Sequence, residues 1–186
     1  MKSIKKAPIF LIFIFLFSSC FKHVDFDQID DFSTQPVFKT SLAYFTLNQI
    51  TFFDRVNSLE IITPINKTSS FLSLNSSFVR ENLIELELEF EVNNYFDRDF
   101  IVNFEFLDDN NVVTHSINTF NVAANNLKYL HKEKIIVAGN QRFLSSSKIR
   151  ALIQLSPSLN GSVINPNIER KLVFKTAGTF FLKLQK

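Results

Sequence analysis

Four side chains in the sequence are of the nitrogen and sulfur types that bind transition metals most often: Cys20, His23, His115 and His131. His115 and His131 fall on different predicted strands, and no His-x-x-x-His spacing or second cysteine is present. A zinc site would therefore need both strand histidines and a carboxylate from elsewhere in the fold. We interpret these two histidines as ordinary strand residues, and we predict no metal and no cofactor.

The oxygen-bearing side chains that could bind calcium lie in two polar loops. In the first, Asp108 and Asn110 have the spacing of alternate ligands, but Val112 has no ligand atom where a third is needed. The second loop, 93–99, contains two asparagines and two aspartates. Because Asp and Asn also stabilise tight turns, we predict turns rather than calcium sites at both loops.

The motifs of nucleophilic and phosphate chemistry are missing from the sequence. With only 3 glycines, the chain has no Gly-x-Ser-x-Gly elbow, no Gly-x-Gly-x-x-Gly loop and no Walker lysine motif. Its one dense carboxylate row (Glu85, Glu87, Glu89, Glu91) alternates with apolar residues, which is typical of the solvated face of a strand. Glycoside hydrolysis needs two carboxylates that face each other across a cleft. We predict that the protein is not an enzyme, and the alternative for the row is a cation-binding or basic-partner face.

Aromatic residues make up 14% of the sequence, with 23 Phe, 3 Tyr and no Trp. Phe lacks the polar group that favours wet binding surfaces, and most Phe residues fall on apolar strand faces, so we predict a Phe-rich core. Tyr95 and Phe96 differ, because they lie in a polar corner that begins with Asn93-Asn94 and ends with Asp97-Arg98. We predict that Tyr95 and Phe96 contact a partner; the alternative is a loop packed on its own core.

The first 20 residues form a leader with a basic start and an apolar centre. Three lysines lie within residues 2–6, residues 8–17 read PIFLIFIFLF, and Ser18-Ser19-Cys20 follow. Ten apolar residues span about 15 Å as a helix, half of a bilayer core. The pattern resembles a bacterial lipoprotein signal peptide, although Phe17 stands where that family prefers Leu. The resemblance implies cleavage after residue 19 and acylation of Cys20; the alternative is an ordinary signal peptide.

Residues 20–35 are predicted to form an acidic tether. Phe21 follows the cysteine, where lipoproteins retained in the inner membrane favour Asp, so the resemblance implies the outer membrane. The four aspartates between residues 25 and 31 are similar to the surface-export tether of Bacteroidota lipoproteins, and the Phe-, Asn-, Ile- and Lys-rich composition is similar to that of Flavobacteria. The alternative is a solvated acidic linker.

The stretch 36–186 is predicted to be one β-sandwich domain. Residues 84–92 alternate apolar and acidic side chains, 100–106 repeat the alternation, and Asp108-Asp109-Asn110-Asn111 forms the turn to a strand at 112–120. Further strands are predicted at 37–47, 50–53, 60–63, 129–137, 148–155, 170–176 and 179–184. Short helical turns are predicted at 76–82, opened by a Ser N-cap, and at 141–146.

Seven to nine short strands with turns between them are typical of an all-β sandwich. The strand–corner–strand stretch 87–111 is similar to immunoglobulin-like domains, which implies a Greek-key order; a transthyretin-like or jelly-roll sandwich is the alternative. In the immunoglobulin-like order, strand 84–92 pairs with the strand near 128–137. We therefore expect Lys128, Lys132 and Lys134 to neutralise the glutamate row.

These features together favour a lipid-anchored envelope protein that binds or scaffolds another protein. The net charge is +2, and the sequence has no basic cluster of the kind that binds nucleic acid. The expected location is the outer membrane, on its periplasmic or cell-surface face. The alternative function is a glycan-binding module, which exposed aromatics around Tyr95 or Tyr44 would favour.

Overall fold

The computed structural model describes residues 35–158 and 161–184. The predicted signal peptide, the lipidation residue Cys20 and nearly all of the tether lie outside the described residues. The strands of the described part are β1 (Val37–Asn48), β2 (Phe53–Asp54), β3 (Leu59–Glu60), β4 (Ile65–Ser70), β5 (Leu83–Asn94), β6 (Phe100–Leu107), β7 (Val113–Ser116), β8 (Phe120–Val122), β9 (Tyr129–Ile136), β10 (Lys148–Leu155) and β11 (Lys171–Leu182). One short α-helix, α1 (Ser77–Asn82), and 3-10 turns at Gln49–Phe52, Leu72–Leu74, Val137–Gly139 and Gln141–Ser145 complete the described elements.

Two antiparallel sheets make up the sandwich. The first sheet has the order β1-β11-β5-β9, and the second has the order β4-β10-β6, with β7 and β8 both paired to the far side of β6. The pair β2–β3 is a separate two-stranded hairpin. The all-β sandwich predicted from the sequence is therefore confirmed.

The strand order is that of a jelly roll and not that of an immunoglobulin domain. Counting β7 and β8 as one interrupted strand, and leaving out the β2–β3 hairpin, the first sheet contains the first, eighth, third and sixth strands. The second sheet contains the second, seventh, fourth and fifth. Immunoglobulin domains instead place their first two strands side by side in one sheet. The alternative named from the sequence, a double Greek-key jelly roll, describes this order.

Local alternation located most strands, but several predicted strands differ from the structure, including 60–63, of which only Glu60 lies in a strand, β3. The predicted strand 50–53 is mainly a 3-10 turn, and 112–120 divides into β7 and β8 because the chain leaves the ladder at residues 117–119. The two strands predicted at 170–176 and 179–184 are the single strand β11. Strand β4 was not predicted, since its sequence INKTSS has no apolar alternation.

The core between the sheets consists largely of phenylalanine, as predicted. Phe90 of the first sheet packs on Phe104 of the second with ring centroids 5.0 Å apart, and Phe104 also stacks on Phe174 at 6.4 Å. The largest fully buried side chains are Phe52, Phe71, Phe90, Phe96, Phe100, Phe104, Phe106, Phe143, Phe174, Phe180, Leu47 and Leu74. Each buried ring removes a large apolar area from water, so this cluster is the main source of stability.

Candidate functional site

The corner between β5 and β6 buries one of the two aromatics that were predicted to contact a partner. Phe96 has 0% exposure, and its ring packs on Phe52 and Phe100 with centroids 5.7 and 5.2 Å away. Phe96 is therefore a core residue, and its assignment to the contact patch was wrong. The alternative, a loop packed on its own core, describes this half of the corner.

Asn94 stabilises the conformation of the corner between β5 and β6. Its buried side-chain nitrogen donates to the carbonyl oxygens of Arg98 and Ala123 at 2.8 and 2.9 Å, and its side-chain oxygen accepts from the Phe96 amide at 2.9 Å. These three bonds satisfy the polar atoms that the turn places inside the protein. They also fix Phe96 in the core and leave Tyr95 facing outward.

A buried ion pair ties the corner to two other loops. The guanidinium of Arg98 donates to Glu60 at 2.9 Å and to the carbonyl oxygens of Ser162 and Ser156. Glu60 also accepts from the Ile164 amide at 2.6 Å. Removing either charge would leave the other buried and unpaired, which is strongly destabilising, so the role of this cluster is structural.

Tyr95 is the part of the predicted patch that remains at the surface. Its side chain is 37% exposed, and the ammonium of Lys171 lies 5.3 Å from the ring centroid. Tyr95, Glu169, Arg170 and Lys171 line a shallow depression of about 220 Å³. Tyr44, 67% exposed, lies toward the same end of the first sheet on β1.

The glutamate row lies on the outer face of the first sheet and is paired with lysines from both sides. On β9, Lys132 is 3.0 Å from Glu89, and Lys134 is 2.8 Å from Glu85 and 3.6 Å from Glu87. On the other side, Lys39 of β1 pairs with Glu89 at 3.2 Å and Lys175 of β11 pairs with Glu91 at 2.7 Å. Hydrogen bonds from Lys132 and Lys39 lower the pKa of Glu89.

The predicted pairing of the row with Lys132 and Lys134 is thus confirmed, and β5 pairs with β9 in the register that sets Glu87 opposite Lys134 and Glu89 opposite Lys132. The jelly roll makes these strands neighbours just as the immunoglobulin order would. Lys128 precedes β9 and forms none of the ion pairs found among the described residues, so its predicted part was wrong. Every glutamate of the row therefore has a lysine partner on the same face.

The strand histidines lie at the edge where β7 and β9 meet. His131 is 3.3 Å from Glu133, which also accepts from the Asn118 side chain at 2.9 Å. Burial lowers the pKa of His115, against the opposing charge of Glu133. Among residues 35–158 and 161–184, no group of three or more His, Cys, Asp or Glu side chains could hold a metal ion.

The opposite side of the sandwich, between β1 and β4, is incompletely covered. Within the described part of the chain, no strand pairs with β1 beyond β11 or with β4 beyond β10. Most of the partly buried apolar residues that pack against the core lie here: Leu42, Ala43, Phe45 and Ile65. We call this region the open side.

A cavity of about 260 Å³ lies on the open side. It is lined on the β1 side by residues 42–45, on the β4 side by Lys67, Thr68 and Ser69, and at its floor by Phe104, Ile149 and Ala151. Sequence reasoning missed this region, because β4 has no apolar alternation and nothing local shows that β1 and β4 become neighbours.

No helix among the described residues is long and apolar enough to cross a bilayer. No family model matches the chain, and no curated protein matches it.

Several solved structures show partial similarity to this chain, among them the following three. A candidate secreted protein of Parabacteroides distasonis gives a TM-score of 0.49 at 13% identity, over 63% of this chain and 38% of that chain. The VP2 subviral particle of infectious bursal disease virus gives 0.41 at 8% identity, over 79% and 32%. The enzymatically active domain of tailspike protein 4 of bacteriophage CBA120 gives 0.40 at 13% identity, over 82% and 20%. This chain therefore spans less than half the length of each.

Proposed function

We propose that the protein is an outer-membrane lipoprotein, anchored through Cys20, whose β-sandwich binds another protein of the cell envelope and so acts as a binding or scaffolding subunit. The binding surface is the open side of the sandwich. The protein performs no catalysis in this role and needs no cofactor.

Support for the anchor comes from the leader. A basic start, ten apolar residues and a Ser-Ser-Cys junction are together typical of lipoprotein export. Two lipid signals already suffice for stable membrane attachment, so an acylated Cys20 would hold the domain at the membrane surface.

Support for protein binding comes from one observation, the incompletely covered core at the open side. Two edge strands that pair with no further strand among the described residues flank a cavity whose floor is apolar. Free strand edges are templates for pairing with another chain, and an apolar recess beside polar strands gives a partner a place to bury a side chain.

The test is site-specific photo-crosslinking in intact membranes. The photoreactive residue p-benzoylphenylalanine replaces either Tyr44, 67% exposed at the cavity, or Leu130, 63% exposed on β9 at the far edge of the same sheet. We expect a discrete crosslinked protein from position 44 and none from position 130. Equal crosslinking at both positions, or none at position 44, contradicts the proposal.

A glycan-binding role is the second candidate, and the exposure of two tyrosines favours it. Tyr44 and Tyr95 lie toward the same end of the outer face of the first sheet. The ammonium of Lys175, which pairs with Tyr44 across the strands, donates a hydrogen bond to Glu91 at 2.7 Å, and this bond raises the pKa of Lys175. Binding to an envelope-glycan array that is lost in Tyr44→Ala and Tyr95→Ala, but kept in Leu130→Ala, would favour this role over protein binding.

A further inference from the structure

We propose that the partner contributes an extended strand that pairs with the free edge of β4. An acidic side chain of that strand faces Lys67, and an apolar side chain two residues away enters the cavity of the open side. This inference rests on the proposed protein-binding function and specifies the form in which the partner binds.

Strand β4 is the edge suited to pairing. All six of its residues pair with β10 in an unbroken antiparallel register, from Ile65 opposite Ile153 to Ser70 opposite Lys148. Its other edge therefore presents a regular row of amide and carbonyl groups. The neighbouring edge strand β1 has a register shift between Ser41 and Ala43, which breaks its row, so β4 is the better template for strand addition.

The cavity sets the second requirement for the partner strand. Side chains two residues apart lie on the same face of a strand, so a strand beside β4 directs alternate side chains toward the core. The recess of about 260 Å³ has Phe104, Ile149 and Ala151 at its floor. Its size and lining suit one aliphatic or aromatic side chain.

Lys67 sets the third requirement. It pairs with Ala151, a core-facing residue, and so belongs to the same face of the sheet. It is the one charged residue that lines the cavity, and no acidic group among the described residues forms an ion pair with it. An aspartate or glutamate on the partner strand would supply the missing charge.

The same lysine argues against a second copy of this chain as the occupant. An inward-facing charge on an edge strand discourages indiscriminate edge-to-edge pairing. Two copies of β4, whose sequence INKTSS has Lys67 as its only charge, would bring like charges together. A strand that carries an acidic residue is selected over one that does not, which gives the edge its specificity.

The experiment selects random nine-residue peptides displayed on phage against the purified full chain and two variants. Lys67→Glu reverses the charge at the cavity. Lys128→Glu makes the same change at an exposed residue beside β9, at the far edge of the other sheet. We expect selection against the wild type and against Lys128→Glu to enrich peptides with an acidic residue two positions from an apolar residue. Selection against Lys67→Glu should instead enrich peptides with a basic residue in place of the acidic one.

Two measurements on a selected peptide complete the test, with thermal melting of each variant as the folding control. The peptide should bind Lys67→Glu at least tenfold more weakly than the wild type and Lys128→Glu. Two versions of the peptide are N-methylated, one at the odd-numbered amides and one at the even-numbered amides. Only one of these two modifications should abolish binding, because only one set of amides donates hydrogen bonds to β4.

Several outcomes overturn the inference. The first is that the selected peptides lack the acidic–apolar spacing, and the second is that a selected peptide binds the wild type and Lys67→Glu with equal affinity. The third is that the peptide still binds when either set of alternate amides is N-methylated. The fourth is that the full chain self-associates and Lys67→Glu alters this self-association. If any of these occurs while position 44 still gives a crosslinked protein, strand addition fails and the proposed protein binding stands. If position 44 gives no crosslink either, both fail.

Discussion

At the scale of single residues, neighbours in the chain have opposite environments in this fold. Tyr95 faces solvent beside Lys171, whereas Phe96 is fully buried against Phe52 and Phe100. The hydrogen bonds of Asn94 impose this division. The two aromatics therefore have separable roles, one at the surface and one in the core.

Substituting each aromatic by serine should separate these roles. Phe96→Ser removes a buried ring and should lower the free energy of unfolding by about 3–5 kcal/mol, as large-to-small core changes do. Tyr95→Ser should change it by less than about 1 kcal/mol. Urea denaturation measures both, and equal losses in the two variants would contradict the burial of Phe96.

Thr176 is a buried residue whose hydroxyl has no hydrogen-bond partner, at 2% exposure. Thr176→Val replaces that hydroxyl with a methyl group and should raise the free energy of unfolding by about 1 kcal/mol, because it removes an unsatisfied polar group. The matched control is Thr46→Val, an exposed threonine on β1 in the same sheet. Differential scanning calorimetry should show a higher Tm for the first variant only; a lower Tm would contradict the assignment.

His115 should make stability depend on pH. Burial lowers its pKa, opposed by the charge of Glu133 and a hydrogen bond with Asn140. In the unfolded chain the imidazole binds a proton near pH 6.5, whereas in the folded chain it does so only at lower pH. Acid therefore favours unfolding between that lower pKa and pH 6.5, and the stability is fully present above this window.

The expected result is that wild-type unfolding free energy falls as the pH is lowered from 7.5 to 5.5. His115→Phe keeps an aromatic ring beside Phe106 and Phe143 and should flatten that decline. Urea denaturation across the pH series measures both slopes. A variant with the wild-type slope would show that another group is responsible.

At the scale of elements, β11 shows how one residue can set the packing of a strand. It runs unbroken through the middle of the first sheet between β1 and β5. A Cβ at Gly178 would lie 2.9 Å from Leu86 Cδ1 and 3.1 Å from both Leu42 Cδ1 and Phe180 Cε2. Gly178 falls between the two strands predicted at 170–176 and 179–184, but in the structure it lies within β11, where the lack of a Cβ allows close packing.

Gly178→Val should therefore destabilise the protein, by about 1–3 kcal/mol or more for an overpacked core site. Ala177→Val, at the adjacent position on the outer face of the same strand, is the matched control and should be near neutral, since β-branched residues suit strands. Thermal unfolding of the two variants gives the comparison. A neutral Gly178→Val would mean that the core side chains move aside at little cost.

At the scale of the whole molecule, the described domain is a sandwich that is closed on one side and open on the other. The edge near β7 and β9 is bridged by contacts such as Asn118 to Glu133. The edge between β1 and β4 has a cavity, and within residues 35–158 and 161–184 no further strand pairs with either of these two strands. This asymmetry is the reason for placing the proposed partner on the open side.

The proposed lipid anchor leads to a prediction for the whole chain. Cys20→Ala removes the only thiol in the sequence and should release the protein from the membrane fraction or leave it uncleaved. Wild-type protein should extract only with detergent. Fractionation with N-terminal sequencing decides this, and wild-type protein found free in the periplasm would exclude the lipoprotein proposal.

The sequence by itself determined the strands whose side chains alternate and the phenylalanine core. Alternation with period two can be seen in a few consecutive residues, because successive side chains of a strand point to opposite faces and only one face is buried. Strand β4 and the burial of Phe96 left no such local signal. Strand β4 is an exposed edge strand, so its sequence does not alternate between buried and exposed residues. Phe96 lies in a corner and is buried by contacts with residues distant in the chain, such as Phe52.

Only the tertiary structure decided which strands are neighbours, and so distinguished the jelly roll from the immunoglobulin-like order. Both orders bury the same alternating faces, so the local pattern cannot separate them. The choice depends on contacts between residues far apart in the chain. The open side, with Lys67 beside an apolar recess, exists only because β1 and β4 are brought together at the edges of two different sheets.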